Sequence, residues 1–130
     1  MATYYCISSA MNAFARTERG HNCRKWPRIS RQNCSSRVGT WNAGGLNGDG
    51  KRREVINVFK NGKFELLVLT ETKVKGSGED EWCGVKCVYA GVERNVRAKK
   101  GVTILMNDAW HKSMVKFECV SSRVLMAKFN

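Results

Sequence analysis

Two apolar runs, residues 38–42 and 64–69, set the terms for any fold of this 130-residue chain. Each reads as a strand: Val38-Gly39-Thr40-Trp41-Asn42, then Phe64-Glu65-Leu66-Leu67-Val68-Leu69. Between them lie a glycine-dense loop, residues 43–50, and a run with Val55, Ile56 and Phe59 at helical spacings of three and four. The strand–helix–strand order reads as a βαβ start, whose helix would serve as the crossover if the two strands lie side by side. The second run is nearly continuous in large apolar residues, as suits a strand covered on both faces. Each run ends on a polar group, Asn42 and Glu71, so the pairing would bring an amide and a carboxylate to one sheet edge. That is a seat for a hard cation and a phosphate.

The helix between the runs has Asp49 as its expected cap and Asn61-Gly62 as its expected end. The glycines of the loop permit positive φ and close approach to a bound group, although their spacing is neither a Walker loop nor a dinucleotide fingerprint. Residues 75–81, rich in glycine and acid, read as a surface loop. Four strands follow at hairpin spacing, residues 85–92, 101–106, 114–120 and 123–129, with turn chemistry at Asn107-Asp108-Ala109-Trp110 and Ser121-Ser122. The whole describes an α/β fold with a mixed sheet and one main helix.

Residues 1–36 differ from the rest. They hold the only proline, six Lys/Arg and one Glu, and sustain neither period, which describes a basic, disordered head. An arm on a polyanion, an organelle-targeting segment and a remnant without a role all remain open for it. Asn33-Cys34-Ser35 matches a glycosylation sequon, but no apolar signal precedes it. The six cysteines therefore read as reduced intracellular thiols. Cys83-x-x-x-Cys87 lacks the second ligand pair that a zinc site needs. The expected location is intracellular, with the nucleus open and secretion not expected. No run approaches the roughly 18 apolar residues of a membrane span. The net charge of +12 makes nucleic acid, an acidic membrane surface and phosphorylated small molecules the candidate partners. Arg94, Arg97, Lys99 and Lys100 form a basic connection that fits phosphate contacts or a solvated hairpin.

The blocks TWNAGGLNG, LLVLTETKVKGSGE and RAKKGVTILMN, in that order, resemble the N-terminal half of the endonuclease/exonuclease/phosphatase superfamily. Within it they look most like the apurinic-endonuclease-like domains of non-LTR retrotransposons and the related craniofacial development protein 2-like sequences. The resemblance covers residues 37–130 and implies an incomplete two-sheet α/β sandwich. It also implies Mg²⁺- or Mn²⁺-dependent hydrolysis of phosphoesters, DNA above all, with Glu71 as metal ligand, Asn42 in the metal and phosphate site, and Lys73 supporting the carboxylates behind it.

Two departures qualify the resemblance. Gly44 stands where members often carry Asp or Asn, and the later motifs (an Asp-x-Asn, a mid-domain Tyr and a terminal Asp-His pair) have no counterpart. Neither His21 nor His111 fills a catalytic role. The expectation is thus a truncated phosphodiesterase domain, inactive as this chain; the alternative is a basic nucleic-acid binder that keeps the scaffold. One sheet face should be bare, needing the missing half or another chain to cover it.

Overall fold

The computed structural model describes the backbone of residues 3–8 and 11–17 and the whole of residues 36–130. In chain order its elements are β1 (Thr3–Ser8), β2 (Met11–Thr17), β3 (Val38–Asn42), α1 (Asp49–Asn61), β4 (Leu66–Thr70) and β5 (Ser77–Trp82). There follow β6 (Val85–Ala90), β7 (Val102–Met106), α2 (Asp108–Ser113), β8 (Met114–Ser121) and β9 (Val124–Phe129). They build a mixed α/β fold with a five-stranded sheet, order β3-β4-β7-β6-β5, and a second sheet, order β2-β1-β9-β8. Among the described strands only β3 and β4 pair in parallel, in the register Val38↔Leu66 to Asn42↔Thr70, with α1 as their crossover.

The continuous apolar character of β4 has a direct cause. Leu67 and Leu69 pack with Val55, Ile56 and Phe59 of α1 on one face of the sheet. Leu66 and Val68 point the other way and pack with Leu125, Ala127 and Phe129 of β9. The central strands β4, β7 and β6 are therefore covered on both faces, which overturns there the expectation of a bare face needing another chain, while β3 leaves Val38, Thr40 and Asn42 exposed. The helix count misled there, because a second layer can equally be a sheet. Cys87, central in the α1-side cluster, is buried enough to push its thiol pKa up to about 12, so it serves packing.

Four local expectations are corrected. Residues 75–81 are not only loop: β5 pairs with β6 from Ser77↔Ala90 to Trp82↔Val85. As the sheet's outer strand it buries Trp82 alone, so it carries no apolar alternation to read. The segment at Asn107 starts the short helix α2, with Asn107 Oδ1 accepting from the Trp110 amide at 2.9 Å; turn and N-cap use the same side-chain chemistry. At α1 the cap position is Gly48, and Asp49 sits inside the first turn, where its charge favours the helix dipole. Gly62 ends α1 at φ −73°, and the left-handed residue is Lys63, φ 51°. Gly62 is needed for space: a Cβ there would lie 2.5 Å from the Phe64 ring and 2.8 Å from the Val58 carbonyl oxygen.

The basic head expected to lack regular structure contains β1 and β2, and β1 pairs antiparallel with β9 from Thr3↔Phe129 to Ser8↔Val124. A strand that joins an existing edge takes its order from the partner's ladder and needs little pattern of its own. The sequon, His21, Cys23 and Cys34 lie outside the described residues. No helix among the described residues is long and apolar enough to cross a membrane.

Candidate functional site

Strand directions decide what meets at the sheet's end. β3 and β4 are parallel, β7 runs against β4, and β6 runs against β7. The C-terminal ends of β3, β4 and β6 and the start of β7 therefore lie together. Asn42, Glu71 and the connection 91–101, with Arg94, Arg97, Lys99 and Lys100, all belong to this end. His111 does not: α2 follows the other end of β7, and His111 Nε2 pairs there with Glu79 of β5.

Backbone hydrogen bonds carry the pairing past the strand ends. The Ala43 amide donates to Thr70 O at 2.9 Å and the Leu46 amide to Thr72 O at 2.7 Å. The Thr72 amide donates in turn to Gly101 O at 3.1 Å. Asn42 Oδ1 accepts from the Gly44 amide at 3.1 Å, and Gly44 and Gly45 take φ of 62° and 115°. The glycine loop is thus a tight clasp of β3 onto the segment after β4. Lys73 lies across it, since a Cβ on Gly45 would sit 3.2 Å from Lys73 Cδ.

The basic connection is anchored at its base. Lys75 Nζ donates to Arg94 O at 3.1 Å, and the Val96 amide closes a turn on Glu93 O at 3.1 Å. Arg94, Arg97 and Lys99 are exposed and Lys100 half-buried, and none of the four forms an ion pair among the described residues.

Two of the four left-handed non-glycine residues among the described ones lie here. Glu71 and Lys73, neither a glycine, take φ of 52° and 56°. Such conformations persist where surroundings over-determine them, and they cluster at functional sites. The register sets Asn42 beside Thr70, one residue short of Glu71, which is exposed. No hydrogen bond joins the Asn42 and Glu71 side chains among the described residues, and Lys73 makes no ion pair with Glu71. Glu71→Gly should relieve the local strain, leaving stability unchanged or raising it by up to about 1 kcal/mol. Urea denaturation of the variant checks this, and a clear loss of stability would mean that the carboxylate holds the fold.

Sequence reasoning passed over Thr72, Gly91 and Gly101. Thr72 Oγ1 is buried without a partner among the described residues, and a Cβ on Gly101 would come within 2.5 Å of it. The available signal was a glycine at the foot of an apolar run, in Ala90-Gly91-Val92 and Lys100-Gly101-Val102.

The donor set limits the metals that fit. One exposed carboxylate and one amide oxygen suit a hard ion that keeps most of its waters, Mg²⁺ or Mn²⁺, with a phosphate completing its shell. Among the described residues no group of three His, Cys, Asp or Glu could cage an ion. Cys83 is exposed in a turn and Cys87 is buried, so the pair does not form a zinc clip. Compared with protein-family models, with curated proteins and with solved structures, the chain matches none.

Proposed function

We propose that this sheet end binds the phosphate backbone of DNA, with Glu71 and Asn42 able to hold a hydrated Mg²⁺ or Mn²⁺ against it, and that the chain does not cut the strand. On this reading the two layers are the α/β sandwich of the endonuclease/exonuclease/phosphatase superfamily that the sequence resembles. The observation that carries it is the parallel β3–β4 register, which brings the W-N and L-x-E-T-K blocks to neighbouring strand tips. A bound divalent ion would neutralise phosphate charge. Hydrolysis also needs a positioned, activated water, and losing one member of a catalytic unit costs orders of magnitude. At this end the described chain offers the exposed Glu71 at the strand tip next to Asn42, and Glu93 within the basic connection, with His111 at the other end. The residues toward DNA are Arg94, Arg97, Lys99 and Lys100, and a nuclear location follows from that partner.

The second reading, DNA binding without metal, is favoured by the four cations that lack carboxylate partners among the described residues. One experiment separates the readings. Binding of a duplex oligonucleotide should weaken with salt at a log–log slope of about −3 to −4, as expected for four phosphate contacts. Arg94→Ala with Arg97→Ala should reduce that slope by about two. Mg²⁺ should tighten binding in the native protein and not in Glu71→Ala; equal binding with and without Mg²⁺ would leave the metal-free reading. Nicking of supercoiled plasmid with Mg²⁺ above the Glu71→Ala level would refute the claim that the chain does not cut.

A further inference from the structure

A second cluster of unspent charge lies where the start of α1 meets the β5–β6 turn. Ser77 of β5 pairs at the Asn42–Glu71 end, so Trp82 and the turn Cys83-Gly84 lie at the opposite one. Between that turn and the first turn of α1, which follows the clasp at Leu46, a cleft of about 240 Å³ opens, lined by Asp49, Arg52, Arg53, Trp82 and Cys83. The Arg52 guanidinium stacks 4.8 Å from the centroid of the Trp82 ring, and its Nε donates to Leu46 O at 3.1 Å. Trp82 is itself held, its indole N–H donating to Asp80 at 3.1 Å. The turn is pinned by Lys60 Nζ on Cys83 O at 2.9 Å, with Cys83 at φ 49° and Gly84 at 81°.

The arginine is thus oriented before any ligand arrives, and among the described residues only its Nε has a hydrogen-bond acceptor. Neither Arg52, which is half-buried, nor Arg53 forms an ion pair among the described residues, although Asp49 lines the same cleft. A partly buried cation without a counter-ion is costly, and an anion would relieve that cost. A purely anionic ligand would gain from the arginines and be repelled by Asp49. A ligand with an anionic group and N–H donors would use both.

We propose that this cleft binds a nucleoside monophosphate with a donor-rich base. The phosphate takes the Arg52 and Arg53 guanidiniums, the base donates N–H groups to the Asp49 carboxylate, and the ring lies against the Arg52–Trp82 stack. Guanine suits this best, because its imino and amino N–H groups are adjacent and can serve one carboxylate together.

Cys83 is exposed in the cleft and reports occupancy directly. Its alkylation by iodoacetamide, followed on the full chain by peptide mass spectrometry, should slow saturably with guanosine monophosphate, less with uridine monophosphate, and least with inorganic phosphate. Arg53→Gln, an exposed helix position, should raise the half-protecting concentration by about tenfold or more. Asp49→Asn should erase the preference for guanosine over uridine monophosphate, and Glu71→Ala should leave the protection of Cys83 by guanosine monophosphate as in the native protein. Equal protection by inorganic phosphate, no protection by guanosine monophosphate, or protection indifferent to Arg53→Gln would each overturn the proposal.

Discussion

Gly91→Ala is expected to destabilise the protein by about 3 kcal/mol or more, the upper end of what overpacking costs. At Gly91 the segment leaving β6 crosses the segment approaching β5 at backbone distance. An ideal Cβ there would sit 1.8 Å from the Val74 carbonyl oxygen, 2.8 Å from its carbon and 3.0 Å from Gly76 O. These are main-chain atoms, so no rotamer change can relieve the overlap. The crossing is also fixed by reciprocal hydrogen bonds, Gly91 amide to Gly76 O and Gly76 amide to Val92 O, each 2.8 Å. Parting the chains would strain or break both.

The control is Gly44→Ala. Among the described residues no heavy atom beyond its chain neighbours lies within 4 Å of its Cβ position, and φ of 62° is what opposes the change. That should cost about 1 kcal/mol. Denaturant midpoints of the two variants measure the difference, and equal midpoints would place the close crossing in error. Since the crossing also anchors the foot of the basic connection, Gly91→Ala should weaken DNA binding where it still folds, whereas Gly44→Ala reaches only the clasp at Asn42.

That contrast shows how far the sequence could be read. The unit β3-α1-β4 was legible because its pattern is local: a helical period between apolar runs, with burial on both sides of β4 written into Leu66 to Leu69. The positions of Asn42 and Glu71 at adjacent strand ends followed from the same unit. β5 was hidden because an outer strand with one buried residue has no alternation to display. β1 and β2 were hidden because they complete a ladder with β9, far along the chain, from Thr3↔Phe129 to Ser8↔Val124. Gly91 and Gly101 matter only through chain segments that pass close in space, and no spacing rule along the sequence encodes such an approach. The left-handed φ of Glu71 and Lys73 has the same origin: neighbouring chain imposes it against residue preference.

Leu125→Ala tests the covering layer that the helix count failed to reveal. Leu125 is fully buried in β9 and packs with Val88, Val102 and Ile104 of the five-stranded sheet. Ala127 and Phe129 share its face, and the Trp110 ring meets Phe129 edge-on at 5.0 Å. Removing the leucine side chain should cost about 2–5 kcal/mol through lost burial and the cavity left behind. Domains of this size are commonly stable by 5–15 kcal/mol, so the variant should melt much earlier and bind a hydrophobic dye that the native protein binds weakly. Met126→Ala, one residue along and on the outer face, should stay within about 0.5 kcal/mol of native. The alternation along β9 is what separates the two, because a one-residue shift of register would exchange their faces. If both substitutions cost alike, or if the native protein binds the dye strongly and melts without cooperativity, β9 does not cover the sheet. The layer opposite α1 would then have to come from elsewhere.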